Sequence, residues 1–232
     1  MNTFTMYHLP FTIYHLPFTN SPHRGGVRGG LLFLCLLCAL CASCKKDDTP
    51  NITEPSATGT FTDERDGTEY HYITLGSLDW TVENLHYDLG DRNLCLDYQS
   101  PDNYNAGKYS TEYRQRFGLL YSQSGATKAL PTGWRLPTDE EWTALEQSYG
   151  YLSTAFGLLY GGYFTKNTYA DAANGNRFMG SWAYYWSSTK DESKNGEFYF
   201  ARKKFYSEQD MVRLSIEPEA YYLSVRIVRN HQ

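Results

Sequence analysis

Cysteine is scarce outside the first fifth of the chain. Of the five cysteines in 232 residues, Cys35, Cys38, Cys41 and Cys44 lie in one short apolar run, and Cys95 is the single cysteine of the remaining sequence. Cys95 therefore has no second cysteine in the body with which to form an internal disulfide. Since a body of this length can bury a sizeable core, we expect ordinary packing to stabilise it.

Positive charge and histidine are also sparse. The chain has 21 lysines and arginines against 26 acids, a net charge of −5, which argues against a nucleic-acid partner. His71, His86 and His231 stand in separate contexts, and Ser187-Ser188 lacks the Gly-x-Ser-x-Gly surroundings of a hydrolase nucleophile. No group of cysteines and histidines has the spacing of a zinc site. We therefore predict no catalytic residue, no metal and no cofactor.

Long apolar runs are absent except in residues 31–43, which follow two arginines. This order is typical of a secretory signal peptide, whereas a membrane span needs about 20 residues. Ala42 and Ser43 precede Cys44 as small residues precede the lipidated cysteine of a bacterial lipoprotein. The four clustered cysteines also have the spacing of iron–sulfur ligands, but the apolar residues between them disfavour that alternative. We predict lipid attachment at Cys44.

These features predict three parts. Residues 1–43 are the signal peptide, with a true start near residue 27, because a seven-residue near repeat without the character of a signal precedes that point. Residues 44–59 are the lipid anchor and a flexible tether, since they are charged and nearly free of large apolar side chains. Residues 60–232 form the folded domain.

The tether begins with a short charge pattern that bears on location. Residues 45–48 are Lys-Lys-Asp-Asp, an order of basic and then acidic residues that resembles the tag of lipoproteins displayed at the cell surface. We expect attachment to the outer membrane facing the cell exterior, with the lipid bilayer as a partner through acylated Cys44. Attachment facing the periplasm is the alternative.

Alternating apolar and polar residues predict several strands in the body. Residues 61–63 and 70–75 flank Asp66-Gly67, a pair that favours a hairpin turn. Residues 77–84 predict a third strand. Later stretches with the same alternation are 185–188, 198–202, 213–216 and 223–228.

Helical patterns are fewer. Thr138 and Glu141 have the spacing of a capping box, and Trp142 and Leu145 begin an apolar stripe behind them, which predicts a helix from Thr138. A shorter helix is predicted over residues 121–129, and residues 86–116 have no sustained period. The expected fold class is α+β, a mostly antiparallel sheet with one or two short helices and long irregular loops.

An ordered set of motifs spans most of the body. The motifs occupy residues 63–70, 80–85, 117–121, 130–142, 161–163, 185–189 and 224–226. Together they resemble the Fibrobacter succinogenes major paralogous domain, a family of secreted and lipid-anchored bacterial surface proteins. The resemblance implies a C-type-lectin-like fold, which the formylglycine-generating enzymes share. Family members usually carry cysteines where this chain has Leu130 and Ile227, so the resemblance implies that a core contact replaces a bonded pair.

Aromatic residues make up 16% of the chain, and many crowd one Gly-rich region. They are Tyr160, Tyr163, Phe164, Tyr169, Trp182, Tyr184 and Trp186. Flat rings can stack on sugars while nearby amides bond hydroxyls. We predict ligand binding by Trp182, Tyr184, Tyr169 and Asn176, with Trp182 and Tyr184 as an exposed pair. The alternative is that Tyr163 and Trp186 belong to the core and the other rings are scattered over the surface.

The remaining conspicuous residues have structural explanations. Trp134 and Leu136 are expected to anchor the start of the capped helix in the core, and Arg135 and Arg226 to pair with acids such as Glu83 or Glu141. Six acids could in principle supply a catalytic pair, but most lie in turns or at a helix start. They are Asp63, Asp66, Asp79, Glu83, Glu140 and Glu141.

The function expected from these features is a surface-anchored, non-catalytic binding or adhesion lipoprotein whose partner is a glycan or a surface protein. One alternative is a structural component of an envelope or fimbrial assembly, which should show an unpaired edge strand or a flat apolar patch. Another is an enzyme related to the formylglycine-generating fold, which should show convergent titratable groups in a concave site. A binding module should show an aromatic cleft near Trp182.

Overall fold

The computed structural model describes residues 55–98, 111–149, 156–165, 178–208 and 210–232. All of them lie in one compact unit, Asp47–Gln232. The predicted signal peptide, Cys44 and most of the tether lie outside the described residues, as do Tyr169 and Asn176. Among the described residues, no helix combines the length and apolar character needed to cross a membrane.

The described chain is mostly antiparallel sheet with short helices, which confirms the predicted α+β class. The strands are β1 (Ala57–Asp63), β2 (Thr68–Leu75), β3 (Leu78–Thr81), β4 (Cys95–Leu96), β5 (Leu120–Tyr121), β6 (Phe164–Thr165), β7 (Trp182–Lys190), β8 (Tyr199–Phe205), β9 (Val212–Ile216), β10 (Tyr221–Tyr222) and β11 (Val228–Asn230). The helices are α1 (Thr111–Phe117), α2 (Gln123–Lys128) and α3 (Asp139–Tyr149).

The first sheet has the strand order β1-β2-β3-β11. Its first hairpin pairs Asp63 with Thr68, and Gly67 takes a φ of 75° in the turn. Glycine suits this position because it has no Cβ to oppose the left-handed conformation. The last strand, β11, pairs with β3, so the first and last strands of the described chain belong to the same sheet.

The second large sheet has the strand order β7-β8-β9. One face packs on α3, where Tyr185 contacts Trp142 with ring centroids 5.4 Å apart. The opposite face carries Trp186, fully buried in the core, and Tyr184. Because alternate residues of a strand point to opposite faces, β7 contributes buried side chains on both faces of the sheet.

Helix α3 begins as the sequence predicted. The Thr138 N–H donates to Glu141 Oε2 at 2.8 Å, and the Glu141 N–H donates to Thr138 Oγ1 at 3.1 Å. This reciprocal pair satisfies two backbone donors that the helix start leaves open. Trp142 and Leu145 are buried from the apolar stripe, and Trp134 and Leu136 are buried just before the helix. The predicted anchoring role of both residues is confirmed.

Two predictions are only partly matched. Helix α1 begins within residues 86–116, where the sequence showed no period, and ends at Phe117. Its Tyr113 and Phe117 pack against Tyr98. Residues 223–228 form isolated bridges and only the start of β11. The reason is that the Ser224 N–H donates to Tyr184, whereas the Leu223 N–H donates to Tyr121, so successive residues bond to different elements.

The two positions where the resemblance implies cysteines, Leu130 and Ile227, belong to the same apolar cluster. Ile227 is fully buried in the main core cluster, and Leu130 packs against the same cluster half-buried. The chain therefore has apolar packing where the resemblance implies a lost disulfide.

The first hairpin turn is held by an ion pair. Arg65 donates from Nε to Asp63 Oδ1 at 2.8 Å and from Nη2 to Asp63 Oδ2 at 2.6 Å. The same Nη2 donates to the Ala129 carbonyl at 2.7 Å. Asp63 is buried. The hydrogen bonds from Arg65 outweigh burial and hold the pKa of Asp63 below its ordinary value.

Replacing Asp63 by Asn is expected to lower the free energy of unfolding at pH 7 by about 2 kcal/mol, since it removes charge-assisted hydrogen bonds. A carboxylate with a depressed folded pKa contributes stability that is present above its unfolded pKa, about 3.9, and is lost as the pH falls through the folded value. Urea unfolding at several pH values should therefore show the difference between wild type and Asp63→Asn shrinking below about pH 4. Asp66→Asn, in the same turn but exposed, should stay within about 0.5 kcal/mol. A difference that persists unchanged at low pH would contradict this assignment.

Candidate functional site: an aromatic groove

A groove of about 520 Å³ opens on the face of the β7-β8-β9 sheet opposite α3. We call it the aromatic groove. Its lining residues are Tyr163, Tyr184, Phe198, Lys203, Leu214, Ser215, Ile216, Glu217 and Tyr221. They come from β7, β8, β9 and β10 and from residues that flank β6, β8 and β9, so no single stretch of sequence contains the site.

The floor of the groove follows from strand register. Lys203 pairs with Val212, and Ala201 pairs with Leu214, which places Lys203, Leu214 and Ile216 on one face. Glu217 follows the end of β9. At about 3.3 Å per residue, the backbones of Lys203 and Glu217 lie about 16 Å apart along the strand direction. The floor is therefore apolar in the middle, with a cation toward one end and a carboxylate toward the other.

Three tyrosines form the wall. The ring of Tyr163 lies 4.7 Å from that of Tyr184 and 6.1 Å from that of Tyr221, measured between centroids. Tyr163 and Tyr221 are brought together because β6 and β10 pair. Burial raises the pKa of Tyr184 to about 12, with the neighbouring tyrosines adding to the effect. The Tyr184 hydroxyl is therefore protonated at neutral pH and can donate a hydrogen bond.

The polar groups of this wall have no protein partners among the described residues. The hydroxyls of Tyr163, Tyr184 and Tyr221 form no hydrogen bond there, unlike those of Tyr121, Tyr185 and Tyr222, which bond to backbone groups. A tyrosine hydroxyl that lines a cavity without a protein partner is free to bond a ligand.

Trp182 lies beside the groove, next to Tyr184 on the same face of β7, and is not one of the lining residues. The Lys203 ammonium sits 3.8 Å from the centroid of the Trp182 ring, and Phe205 packs 4.7 Å from the same ring. One face of Trp182 is thus occupied by a cation of the protein itself. Its role in the geometry is to hold Lys203 at the groove.

The predicted exposed pair is only partly matched. Trp182 is half-buried, and Tyr184 is 8% exposed, so the prediction of exposure is wrong for Tyr184. The reason is that Tyr163 and Tyr221 pack across it from β6 and β10, a contact that is invisible in the local sequence. Tyr184 nevertheless lines the groove. The predicted binding residues Tyr169 and Asn176 lie outside the described residues.

The other aromatic predictions divide as follows. Trp186 is a core residue, as the structural alternative proposed, and its Nε1 donates to the Tyr121 carbonyl at 2.7 Å. Tyr163 is half-buried in the groove wall and is not a fully buried core residue. Tyr160 and Phe164 pack against two other apolar clusters. The aromatic region therefore serves both the core and the groove.

An exposed apolar rim surrounds the Trp182 end of the groove, and sequence analysis missed it. The most exposed large apolar side chains of the described chain are Phe178, Tyr206 and Val212, at 52%, 60% and 47%. Phe178 packs against Tyr163 with a centroid distance of 6.1 Å and has a φ of 63°. An aromatic residue in this conformation is uncommon and costs backbone strain of about 1–3 kcal/mol. The strain marks Phe178 as a candidate ligand contact at the mouth of the groove.

Five of the six acids considered as catalytic candidates form hydrogen bonds or ion pairs that stabilise the fold. Asp79 lies 2.9 Å from Arg229 Nε and 2.8 Å from His231 Nδ1. Glu83 lies 2.7 Å from His71 Nδ1. Asp66 accepts from the Thr68 N–H in the hairpin turn, and Asp63 and Glu141 have the partners given above. None of these acids lines the aromatic groove.

The two motif arginines behave differently. Arg135 pairs with Glu141, Nη1 to Oε2 at 2.7 Å, which confirms the predicted pairing. Arg226 has no carboxylate partner among the described residues; it is fully buried and bonds Asn84 Oδ1 and three backbone carbonyls, those of Thr81, Phe156 and Gly157. The predicted pairing with an acid is wrong for Arg226, because backbone carbonyls at β3 and the 156–157 segment surround its guanidinium.

A smaller cavity of about 230 Å³ lies beside Cys95, with Asp88, Asp97 and Arg114 in its lining. Arg114 pairs with Asp88 at 2.6 Å. Burial raises the pKa of Cys95 to about 11, so its thiol is protonated at neutral pH and is a poor nucleophile. The described residues contain no group of three or more histidines, cysteines or acids placed to hold a metal ion.

Comparison with known families agrees with the motif order. Residues 73–153 match the model of the Fibrobacter succinogenes major domain. This match supports the family resemblance that the motifs predicted. The match runs from the last residues of β2 through the end of α3 and includes the capping box of α3. Neither the comparison with curated proteins nor that with solved structures finds a match. The likeness to the C-type lectin fold therefore stays a prediction.

Proposed function

We propose that this Fibrobacter succinogenes major domain protein is a non-catalytic binding lipoprotein that recognises glycans in the aromatic groove. The observation that carries the proposal is the groove wall, where three tyrosine rings face a cavity and their hydroxyls have no partner in the described chain. Sugars present both apolar ring faces and many hydroxyls. A wall of aromatic rings with free hydroxyls complements both features.

The size of the groove supports a ligand of a few sugar units. Its volume of about 520 Å³ lies within the range of about 300–1,000 Å³ typical of small-molecule sites. The two free charges, Lys203 and Glu217, mark an apolar floor about 16 Å long. A short segment of a polysaccharide fits a groove that is open along its length better than a single small metabolite does.

The distribution of carboxylates supports binding without catalysis. Hydrolysis of a glycosidic bond ordinarily uses two carboxylates about 5–10 Å apart. Glu217 is the carboxylate among the groove-lining residues of the described chain. A single acid at one end of a groove can accept hydrogen bonds from sugar hydroxyls, and no second acid of the described residues lines the groove.

We further propose that acylated Cys44 anchors the protein in the outer membrane, with the domain facing the cell exterior. The support is the order of charge, apolar run and small residues before Cys44, followed by the basic-then-acidic tether. A groove that binds extracellular glycans requires this orientation. The tether would allow the domain to reach ligands away from the lipid surface.

A glycan array probed with the full chain in mild detergent tests the proposed binding. We expect binding to a restricted set of oligosaccharides and a loss of about tenfold in affinity for Tyr221→Ala, since a ring that packs on a ligand contributes about 1–2 kcal/mol. Tyr149→Ala is the matched control, because Tyr149 lies at the end of α3, on the side of the sheet opposite the groove, and does not line it. Titration calorimetry on the best array ligand measures both variants.

Two results would refute this function. One is that the folded full chain binds no oligosaccharide on the array. The other is that Tyr221→Ala binds the best ligand as tightly as the wild type and Tyr149→Ala do, which would place the binding surface elsewhere. Unchanged near-ultraviolet circular dichroism of both variants shows that the comparison concerns binding and not folding.

A second candidate function is assembly with other envelope proteins. In the described chain β9 pairs with β8 alone, so it is an edge strand, and Val212 on it is 47% exposed. An exposed edge of this kind can accept a strand from another protein. A proline at Arg213, an exposed position of β9, should abolish such an assembly in cross-linked outer membranes. Persistence of the same cross-linked species would exclude pairing at β9.

A further inference from the structure

Lys203 differs from the neighbouring cations of the same sheet. Arg202 pairs with Asp139 at 2.7 Å, and Arg213 pairs with Asp139 at 3.0 Å. Lys203 is half-buried, and no carboxylate of the described residues lies within ion-pair distance of its ammonium. A cation that is partly withdrawn from water without a counter-ion gains from any anion that reaches it.

The position of the Lys203 ammonium is set by the protein. It lies 3.8 Å from the centroid of Trp182, and the backbone of Lys203 pairs directly with Tyr184. Trp182 is in turn packed against Phe205 at 4.7 Å. A lysine held over an aromatic ring has less rotamer freedom to lose when it binds an anion, so more of the interaction appears as affinity.

Glu217, the other charged residue that lines the groove, does not cancel the attraction of Lys203 for an anion. The backbone of Glu217 lies about 16 Å from that of Lys203 along the strand direction, whereas the Debye length is about 8 Å at physiological ionic strength. Two Debye lengths of separation screen most of the repulsion that Glu217 would exert on an anion at Lys203. The two ends of the groove therefore act as separate subsites.

We infer that the groove selects acidic glycans, with the ligand's carboxylate bound by Lys203 next to Trp182 and its neutral rings along the tyrosine wall. This inference rests on the proposed glycan-binding function and names its ligand class. It assigns Trp182 a positioning role rather than a stacking one. Hydrogen bonds from sugar hydroxyls are accepted by Glu217 at the other end.

The test uses the full chain in mild detergent and an array that carries uronic-acid oligosaccharides beside their carboxyl-reduced, neutral counterparts. The strongest ligands should carry carboxylates, and carboxyl reduction should weaken binding about tenfold or more, the size of one charge-assisted hydrogen bond. Lys203→Met should bind the acidic ligand about tenfold or more weakly than the wild type does. It should bind the carboxyl-reduced ligand as tightly as the wild type does. Lys203→Arg should retain the preference, and Glu217→Gln should leave it unchanged or slightly stronger.

Each outcome has one meaning. If neutral counterparts bind as tightly as acidic ones, or if Lys203→Met keeps the preference for acids, acid selection by Lys203 is wrong while glycan binding stands. If no oligosaccharide binds, the proposed function and this inference fall together. An oligo-glutamate peptide that binds more tightly than any acidic glycan would assign the groove to acidic peptides and overturn the inference.

Discussion

Arg226→Met is expected to destabilise the domain by about 3–5 kcal/mol, the cost of breaking a buried charged network. Methionine fills much of the volume of the arginine but donates no hydrogen bond. The change leaves Asn84 Oδ1 and the carbonyls of Thr81, Phe156 and Gly157 without the donor that now reaches them. Each buried acceptor left unsatisfied costs about 1–3 kcal/mol.

Two opposing effects decide the size of this loss. Burial lowers the pKa of Arg226, which reflects the cost of keeping a cation out of water, and methionine removes that cost. The gain is partial, because Arg226 also lies 5.0 Å from the Phe156 ring centroid and 5.8 Å from that of Tyr185, contacts that favour a cation. The cost of leaving four acceptors without their donor therefore exceeds the gain from removing a buried cation.

Urea unfolding followed by tryptophan fluorescence measures the effect of Arg226→Met. Arg226→Lys is the matched variant: it keeps the charge but cannot reach all four acceptors with one ammonium, so we expect roughly half of the loss. Arg116→Met, at a largely exposed position of α1, should change the stability by less than about 0.5 kcal/mol. A loss below about 1 kcal/mol for Arg226→Met would show that the 156–157 segment and β3 hold together without the guanidinium.

The second large effect is expected at Cys44. Cys44→Ser should abolish incorporation of radiolabelled palmitate and move the protein from the membrane fraction to the soluble fraction. The physical reason is that each buried methylene contributes about 0.8 kcal/mol, so that two or more acyl chains anchor a protein firmly where one chain holds it only weakly. Labelling of intact cells followed by fractionation measures both changes.

The run of cysteines offers a matched control for this experiment. Lipoprotein signals most often carry leucine at the position of Cys41, so Cys41→Leu should keep both the label and the membrane location. Equal labelling of the wild type and Cys44→Ser would exclude Cys44 as the lipidated residue. External protease that digests the domain on intact wild-type cells would support display at the surface, and protection from it would favour the periplasmic face.

Features that depend on neighbouring residues in sequence were predicted correctly. The hairpin at Asp66-Gly67 and the capping box of Thr138 and Glu141 appear at the predicted positions. Both are set by backbone preferences and by hydrogen bonds over two to four residues. The family motifs likewise identified the domain that the match over residues 73–153 supports.

Features that depend on packing were missed or misplaced. Helix α1 has seven residues and no clear period, and Tyr98 provides the aromatic surface on which Tyr113 and Phe117 pack. Arg226 was expected to pair with a carboxylate, but its partners are the Asn84 amide and backbone carbonyls from two separate segments, β3 and residues 156–157. Tyr184 was expected on the surface, but two tyrosines from other strands cover it.

The sequence by itself determined the α+β class, the local turns and caps, the resemblance to the Fibrobacter succinogenes major domain and the aromatic region that contributes to the groove. Only the tertiary structure decided which of those aromatic rings face a cavity, that Lys203 lies against Trp182 with no acid of the described chain beside it, and that Phe178 stands at the rim. The physical reason is that turns and caps are settled by interactions within a few residues, whereas the groove is assembled by strand register between segments up to 58 residues apart, Tyr163 and Tyr221.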